Sequence, residues 1–278
     1  MNRIVDRFRE LGARGQAALI VYLTAGDPSL EETPQLVLEA THAGADLIEL
    51  GVPWSDPSAD GPVIQAAMER ALSTGGAGHD TLAKTFAVVR KIRAHTDVPL
   101  VLFGYFNPIL QRGSGRVVDE AKAAGVDGML VVDLPPEESE ELDRARAAAE
   151  LVRVPLLAPT TSVERARVVV ARGGGFAYYV ALTGGTGAGH LDVADVERRT
   201  RALRPALGGL PLAVGFGIRD AAGACAVAGV ADAVVVGSAL VQTIAAAHDP
   251  QSRRLAAYEL VKSLREAVAS RPRARAGG

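Results

Sequence analysis

Hydrophobic positions in this chain fall in short unbroken runs rather than in alternation: AALIVYL, DLIELGV, PLVLFGY, GMLVVDL, VPLLAP, FAYYVAL, PLAVGFG and DAVVVGS. Unbroken apolar runs suit parallel strands covered on both faces, whereas a half-solvated strand alternates. The entries to the runs alternate too. The third, fifth and seventh follow Pro99, Pro155 and Pro211, spaced 56 residues apart, while the second, fourth and eighth follow AGAD, AGVD and AGVAD. A period of that length, holding two strands and two helices, is a βαβα unit, and four such units give eight strands.

The segments between the runs read as helices. Ser29 to Glu32 has the pattern of a capping box ahead of Leu36, Val37 and Ala40, and Thr161 to Glu164 repeats it ahead of RARVVVARGG. Glu137 to Leu151 is rich in Glu, Ala and Arg, which favour helix. Ile4, Val5, Phe8 and Leu11 have helical spacing and predict a short docking helix over about residues 2–12. Eight strands alternating with helices over about 250 residues predict a closed (β/α)8 barrel, an α/β TIM barrel with an extra N-terminal helix. The competing topology is an open doubly wound sheet, but no GxGxxG follows the first strand. No long polar linker divides the chain, so residues 1–268 are expected to form one domain and the basic 269–278 segment a flexible tail.

Composition narrows this picture. With 278 residues, 48% apolar content, 22% charged content and a net charge of −2, the chain is no general binder of nucleic acid or anionic membrane. A single phosphorylated ligand remains compatible, because one anion site needs only a few donors. Cys225 is the only cysteine, which excludes an intramolecular disulfide framework and cysteine-cluster metal sites. The five histidines lie far apart, without metal-ligand spacing. The most apolar window, around 226–247, contains Asp232 and Gln242, so a membrane span is not expected. The N-terminus lacks an apolar signal core, and a cytoplasmic enzyme is the expectation.

In such barrels the chemistry lies in the loops after the strands. Late in the chain, Gly184, Gly185 and Gly187, then Gly215 and Gly217, then Gly237 and Ser238 fall in three such loops. Any one of them could simply make a tight turn, but all three at these positions point to a phosphate site with exposed N–H groups. Earlier, Glu49 interrupts an apolar run at the end of the second strand. Desolvation there would raise its pKa toward neutrality, as suits a general acid–base group. Asp60, followed by Gly61 and Pro62, could face a ligand as an ionised acceptor or form an Asx turn.

These residues also carry a resemblance. IELGVPWSDPSADGPVIQAA resembles the signature of the tryptophan synthase alpha subunit family, and YLTAGDP, YFNPIL, AGVDGMLVVDLPPEES, LLAPTTS, YYVALTGGTG, VGFGI and VVGSALV resemble the family's segments in order. The resemblance implies retro-aldol cleavage of indole-3-glycerol phosphate to indole and glyceraldehyde 3-phosphate, with no cofactor and no metal. By position, Glu49 matches the catalytic glutamate, Asp60 the aspartate that accepts the indole N–H, and Tyr178 an active-site tyrosine. Gly187, Gly215, Gly217, Gly237 and Ser238 match phosphate-binding positions, and Tyr22, Phe103, Tyr105 and Phe216 the indole pocket. The implied partner is a tryptophan synthase beta subunit, in an alpha2-beta2 tetramer.

The chain departs from the family pattern in two loops. Trp54 replaces a usual phenylalanine and Ser58 an apolar residue; Ala181 replaces a common serine, Gly185 a valine and Gly189 a polar residue. Glycine for a β-branched residue costs about 0.5–1 kcal/mol of loop ordering, which predicts a mobile segment at 184–190. These departures keep open a stand-alone lyase that releases free indole. A sugar-phosphate isomerase would call for a strand-end lysine or metal-binding histidines, which are absent from the sequence. A non-catalytic subunit is disfavoured by the presence of Glu49, Asp60 and Tyr178.

Overall fold

The computed structural model describes residues 2–74, 80–181, 192–215 and 217–270. Helix α1 (Arg3–Ala13) leads into β1 (Ala18–Thr24), α2 (Thr33–His42), β2 (Leu47–Gly51), α3 (Pro62–Thr74), α4 (Thr81–Arg93) and β3 (Leu100–Gly104). There follow α5 (Phe106–Arg112), α6 (Ser114–Ala124), β4 (Gly128–Val131), α7 (Glu140–Ala148), β5 (Val152–Arg153) and β6 (Leu156–Leu157). The chain continues through α8 (Val163–Ala171), β7 (Ala177–Val180), α9 (Val193–Leu203), β8 (Leu212–Gly215), α10 (Ala221–Ala228), β9 (Ala233–Val236), α11 (Ser238–Ala246) and α12 (Pro250–Ala269).

All strand pairs are parallel, in the order β5-β4-β3-β2-β1-β9-β8-β7-β6. The two ends of that row, β5 and β6, are halves of one short segment, so the row closes into the expected (β/α)8 barrel. The break between them is Pro155, which has no N–H for the ladder; its carbonyl still accepts from the Tyr178 N–H at 2.8 Å. The fifth strand therefore starts at Val152, earlier than its apolar run predicts. Arg153 hides that start, since charge reads as loop. Its guanidinium is buried against the Ser139 hydroxyl and the Leu134 carbonyl, both at 2.8 Å, and beside Asp143.

Burial explains the unbroken runs. Every residue of β1 is buried, but they divide by parity. Leu19, Val21 and Leu23 pack against the helices, while Ala18, Ile20 and Tyr22 face the barrel interior. Helix α1 closes the lower end, with Ile4, Phe8 and Leu11 in the interior cluster and the Phe8 and Phe176 rings 5.2 Å apart. Each such side chain contributes about 1.5–3 kcal/mol by leaving water. Val5, expected in the same stripe, is 37% exposed because it lies off the i, i+4, i+7 line that the barrel accepts.

Asp46, Asp127 and Asp232, the aspartates before the second, fourth and eighth strands, all work alike at this end. Their carboxylates accept from the N–H groups of Leu19, Leu100 and Leu212 on the preceding strand, at 2.7, 2.9 and 2.6 Å. Each also holds at least one arginine: Arg7 and Arg265, Arg3 and Arg93, and Arg204 respectively.

The two capping signals resolve differently. Ser29 Oγ accepts from the Glu32 N–H at 3.1 Å, although regular α2 begins only at Thr33. At α8 the cap is Ser162, accepting from Arg165 N–H at 3.1 Å, and not Thr161, whose hydroxyl accepts from the Ala158 N–H in the turn before. Ala269, the first residue of the segment expected as a tail, belongs to α12. Residues 271–278 lie outside the described residues.

Candidate active site

Glu49 faces the barrel interior because strand parity puts it there, between its register neighbours Tyr22 on β1 and Val101 on β3. It is 1% exposed, and Oε1 has no hydrogen-bond partner among the described residues. Burial pushes its pKa up from 4.5 to about 8. The group therefore rests as a neutral acid near pH 7, beside an oxygen free to meet a ligand.

Asp60 reaches the same space from the loop between β2 and α3. A turn bonds its N–H to Pro57 O at 3.0 Å, and Gln65 Nε2 donates to its carbonyl at 2.8 Å. Its carboxylate accepts from the Tyr105 hydroxyl at 2.6 Å, and that hydroxyl accepts in turn from the Ala59 N–H at 3.0 Å. Burial raises the Asp60 pKa, and the Tyr105 donor opposes the rise.

Tyr178, on β7, lines the opposite wall. Burial, and then the charges of Glu49 and Asp60, push its phenol well above the ordinary range, so it stays protonated and can donate. Its ring leans over Gly215, where a Cβ would come within 2.1 Å of the hydroxyl oxygen.

These groups share a cavity of ≈710 Å³ at the C-terminal ends of the strands. Its wall includes Tyr22, Glu49, Asp60, Phe103 and Tyr178, together with Gly217 and Arg219 from the loop after β8 and Gly237 and Ser238, which follow its neighbour β9. The Tyr22 and Phe103 rings meet edge to face at 5.4 Å and 83°. Ile64 of α3 and Val235 of β9 add apolar surface. The start of α11 opens onto this space with Gly237 as its N-cap and no side-chain cap. Asp80, Ser162, Asp192, Asp220 and Asp249 cap α4, α8, α9, α10 and α12, while α2, α5, α6 and α7 also lack a side-chain cap but do not open onto this cavity. The first N–H groups of α11 are thus left for an anion.

Most sequence-derived residues converge here, with differences. Gly215 lies in β8 beneath Tyr178 rather than in the cavity wall. Tyr105 stands behind Asp60 as its hydrogen-bond donor and does not line the space. Gly187, Phe216 and the segment 184–190 lie outside the described residues. Sequence reading missed Arg219, although it directly follows the glycine-rich GFGI. It also missed Thr24, whose hydroxyl is 3.2 Å from that of Tyr22; equal spacing along β1 was the available signal.

A model of the tryptophan synthase alpha chain family matches residues 8–269. The alpha chain of Alkalilimnicola ehrlichii is 52% identical over 246 residues, covering 88% of each chain. That of Laribacter hongkongensis is 49% identical over 269 residues, covering 96% of this chain and 99% of the relative. Among solved structures, the alpha subunit of Legionella pneumophila superposes with a TM-score of 0.87 at 38% identity, covering 97% of this chain and 99% of that one. A Mycobacterium tuberculosis tryptophan synthase chain gives 0.84 at 32%, covering 96% and 98%.

Proposed function

The chain belongs to the tryptophan synthase alpha chain family, and from that premise we propose how its own residues carry out the lyase reaction. The protein is a carbon–carbon lyase of tryptophan biosynthesis that cleaves indole-3-glycerol phosphate. Glu49, neutral at rest, gives its proton to indole C3. The resulting indolenine carries a positive charge that the Asp60 carboxylate stabilises at the ring N–H. Glu49, now a carboxylate, takes the proton from the side-chain hydroxyl beside the breaking bond. As the C–C bond breaks, its electron pair returns to the ring, restoring indole, and the hydroxyl carbon becomes the aldehyde of glyceraldehyde 3-phosphate. The proton balance closes, and Glu49 ends as it began.

Tyr178 contributes a fixed phenol donor beside this exchange. Tyr22 and Phe103 hold the aromatic ring, while Gly217, Gly237 and Ser238 seat the phosphate at the start of α11. The observation that carries this reading is the orphaned Oε1 of a buried Glu49 in a cavity shared with Asp60. An assay of indole release by wild type, Glu49→Gln and Asp60→Asn tests it; undiminished turnover in both variants would sink the mechanism.

As an alpha chain the protein is by family a subunit of tryptophan synthase, and we assign a beta subunit as its partner, in a tetramer of two alpha and two beta chains. A second depression of ≈730 Å³, lined by Trp54, Asp56, Ser58, Gln65 and Glu69, opens outward on the back of the Asp60 loop and offers a contact surface there. Co-elution with a beta subunit, with faster indole release, is the expected result. Separate elution and unchanged turnover would favour the stand-alone lyase. No helix among the described residues is long and apolar enough to cross a membrane, and the cytoplasm is the setting we assign.

A further inference from the structure

The cavity as described has an unbalanced charge. Glu49 rests neutral there, but Asp60 is a carboxylate, and a phosphate monoester brought into the cavity adds about −1.5 to −2 more at neutral pH. The uncapped start of α11 supplies N–H dipoles but no full charge. Among the described residues lining the cavity, Arg219 is the only cation, and its guanidinium has no hydrogen-bond or ion-pair partner among them. The side chain is exposed at the rim, yet its backbone is held on both sides. Ile218 before it is buried, and Asp220 after it caps α10 by accepting from the Gly223 N–H at 2.8 Å. This cation therefore stands in the loop after β8, two residues past Gly217, and β9, the strand paired with β8, leads into Gly237 and Ser238 of the same cavity. The unpartnered, buried Oε1 of Glu49 independently marks the space as one that receives a ligand.

We propose that Arg219 is the cationic contact for the substrate's phosphate, pairing with the group seated at the start of α11 and offsetting the Asp60 carboxylate of the same cavity. The inference rests on the lyase reading above and adds to it a specificity determinant. A planar guanidinium can pair two phosphate oxygens at once, which an ammonium cannot. Because it stands at the rim, it also attracts the dianion from solvent, and that attraction is screened by salt.

The test uses the full-length chain with glycerol 3-phosphate as the probe, in calorimetric titrations of wild type, Arg219→Gln and Arg219→Lys at low and physiological salt. Removing one charge-assisted contact is expected to weaken binding about tenfold in Arg219→Gln. It should also flatten the salt dependence, with Arg219→Lys falling between the two. In turnover of indole-3-glycerol phosphate, the loss should fall on KM rather than kcat. Equal affinity and an equal salt slope in wild type and Arg219→Gln would overturn the inference, as would a loss confined to kcat. Circular dichroism of each variant separates misfolding from lost contact. Wild-type turnover, measured on the same preparation, tests the lyase reading separately: phosphate binding that depends on Arg219 without any cleavage would reject that reading and keep this contact.

Discussion

The hydroxyl of Tyr22 stands over the Cα of Gly51, so close that a Cβ on Gly51 would come within 2.0 Å of the phenolic oxygen. Gly51 lies two residues past Glu49, the register neighbour of Tyr22, so the ring rises one layer into the space a missing side chain leaves. Tyr178 and Gly215 repeat the arrangement across β7 and β8, where Gly215 lies two residues past Ala213, the register neighbour of Tyr178. Two buried phenols are thereby aimed into the cavity by two glycines that act through what they lack.

From this geometry, Gly51→Ala should destabilise the fold by about 1–3 kcal/mol, the usual cost of overpacking, and lower activity by displacing the ring. In a Tyr22→Leu background the same change should cost clearly less. Urea unfolding of the two single variants and the double variant measures the coupling. Strictly additive losses would show that the ring does not occupy the space over Gly51.

Glu49 makes stability depend on pH. Its folded pKa is raised, so between pH 4.5 and about 8 the folded chain keeps a proton that the unfolded chain has lost, and stability falls as pH rises through that window. Glu49→Gln should therefore abolish turnover and yet be the more stable protein at pH 8, by up to about 4 kcal/mol. The advantage should shrink toward pH 4.5. Denaturation midpoints of both proteins across that range check the sign.

Tyr105 donates to Asp60 and so favours its charged form. In Tyr105→Phe the Asp60 pKa should rise further, moving the acid limb of the kcat/KM profile to higher pH, because a charge-assisted hydrogen bond to the carboxylate is lost. An acid limb that stays in place would mean that Asp60 does not need this donor to remain ionised.

At the lower end of the barrel, Asp127 satisfies the Leu100 N–H and the guanidinium of Arg93, which is 11% exposed. Asp127→Ala leaves the Leu100 N–H without this acceptor and takes the carboxylate from Arg93, whose remaining bonds go to the carbonyls of Gly125, Thr96 and Val98, and should cost about 3–5 kcal/mol, as for other broken buried pairs. Arg3→Ala, which removes a partner that is 41% exposed, should cost less than about 1 kcal/mol. Chemical denaturation of the two variants ranks them; equal losses would place the stabilisation in the exposed pair.

Much of this molecule is legible in local pattern. Unbroken apolar runs, a proline or an aspartate directly ahead of a run, and the 56-residue recurrence of those prolines can all be read along the chain without knowing its folding. Glu49 was visible because strand parity leaves an ionisable group in a buried run nowhere to go but the barrel interior. Gly237, after the eighth run, marks a candidate anion position because the uncapped start of α11 follows it directly, whereas the helix after Gly215 and Gly217 is capped by Asp220.

What only the tertiary structure decided depends on residues far apart in sequence. Tyr105 looked like pocket lining, but its hydroxyl meets Asp60, 45 positions earlier, and so it tunes a carboxylate instead of touching a ring. Arg153 looked like loop until Ser139 and Leu134 closed around it. Gly215 read as a phosphate contact and is held beneath Tyr178. Arg219 acquires meaning only beside Glu49, Asp60 and the open end of α11. Periodicity dictates which face a side chain takes, because that follows from backbone geometry. Which partner it meets on that face depends on the closing of the barrel, which brings distant strands into contact at once.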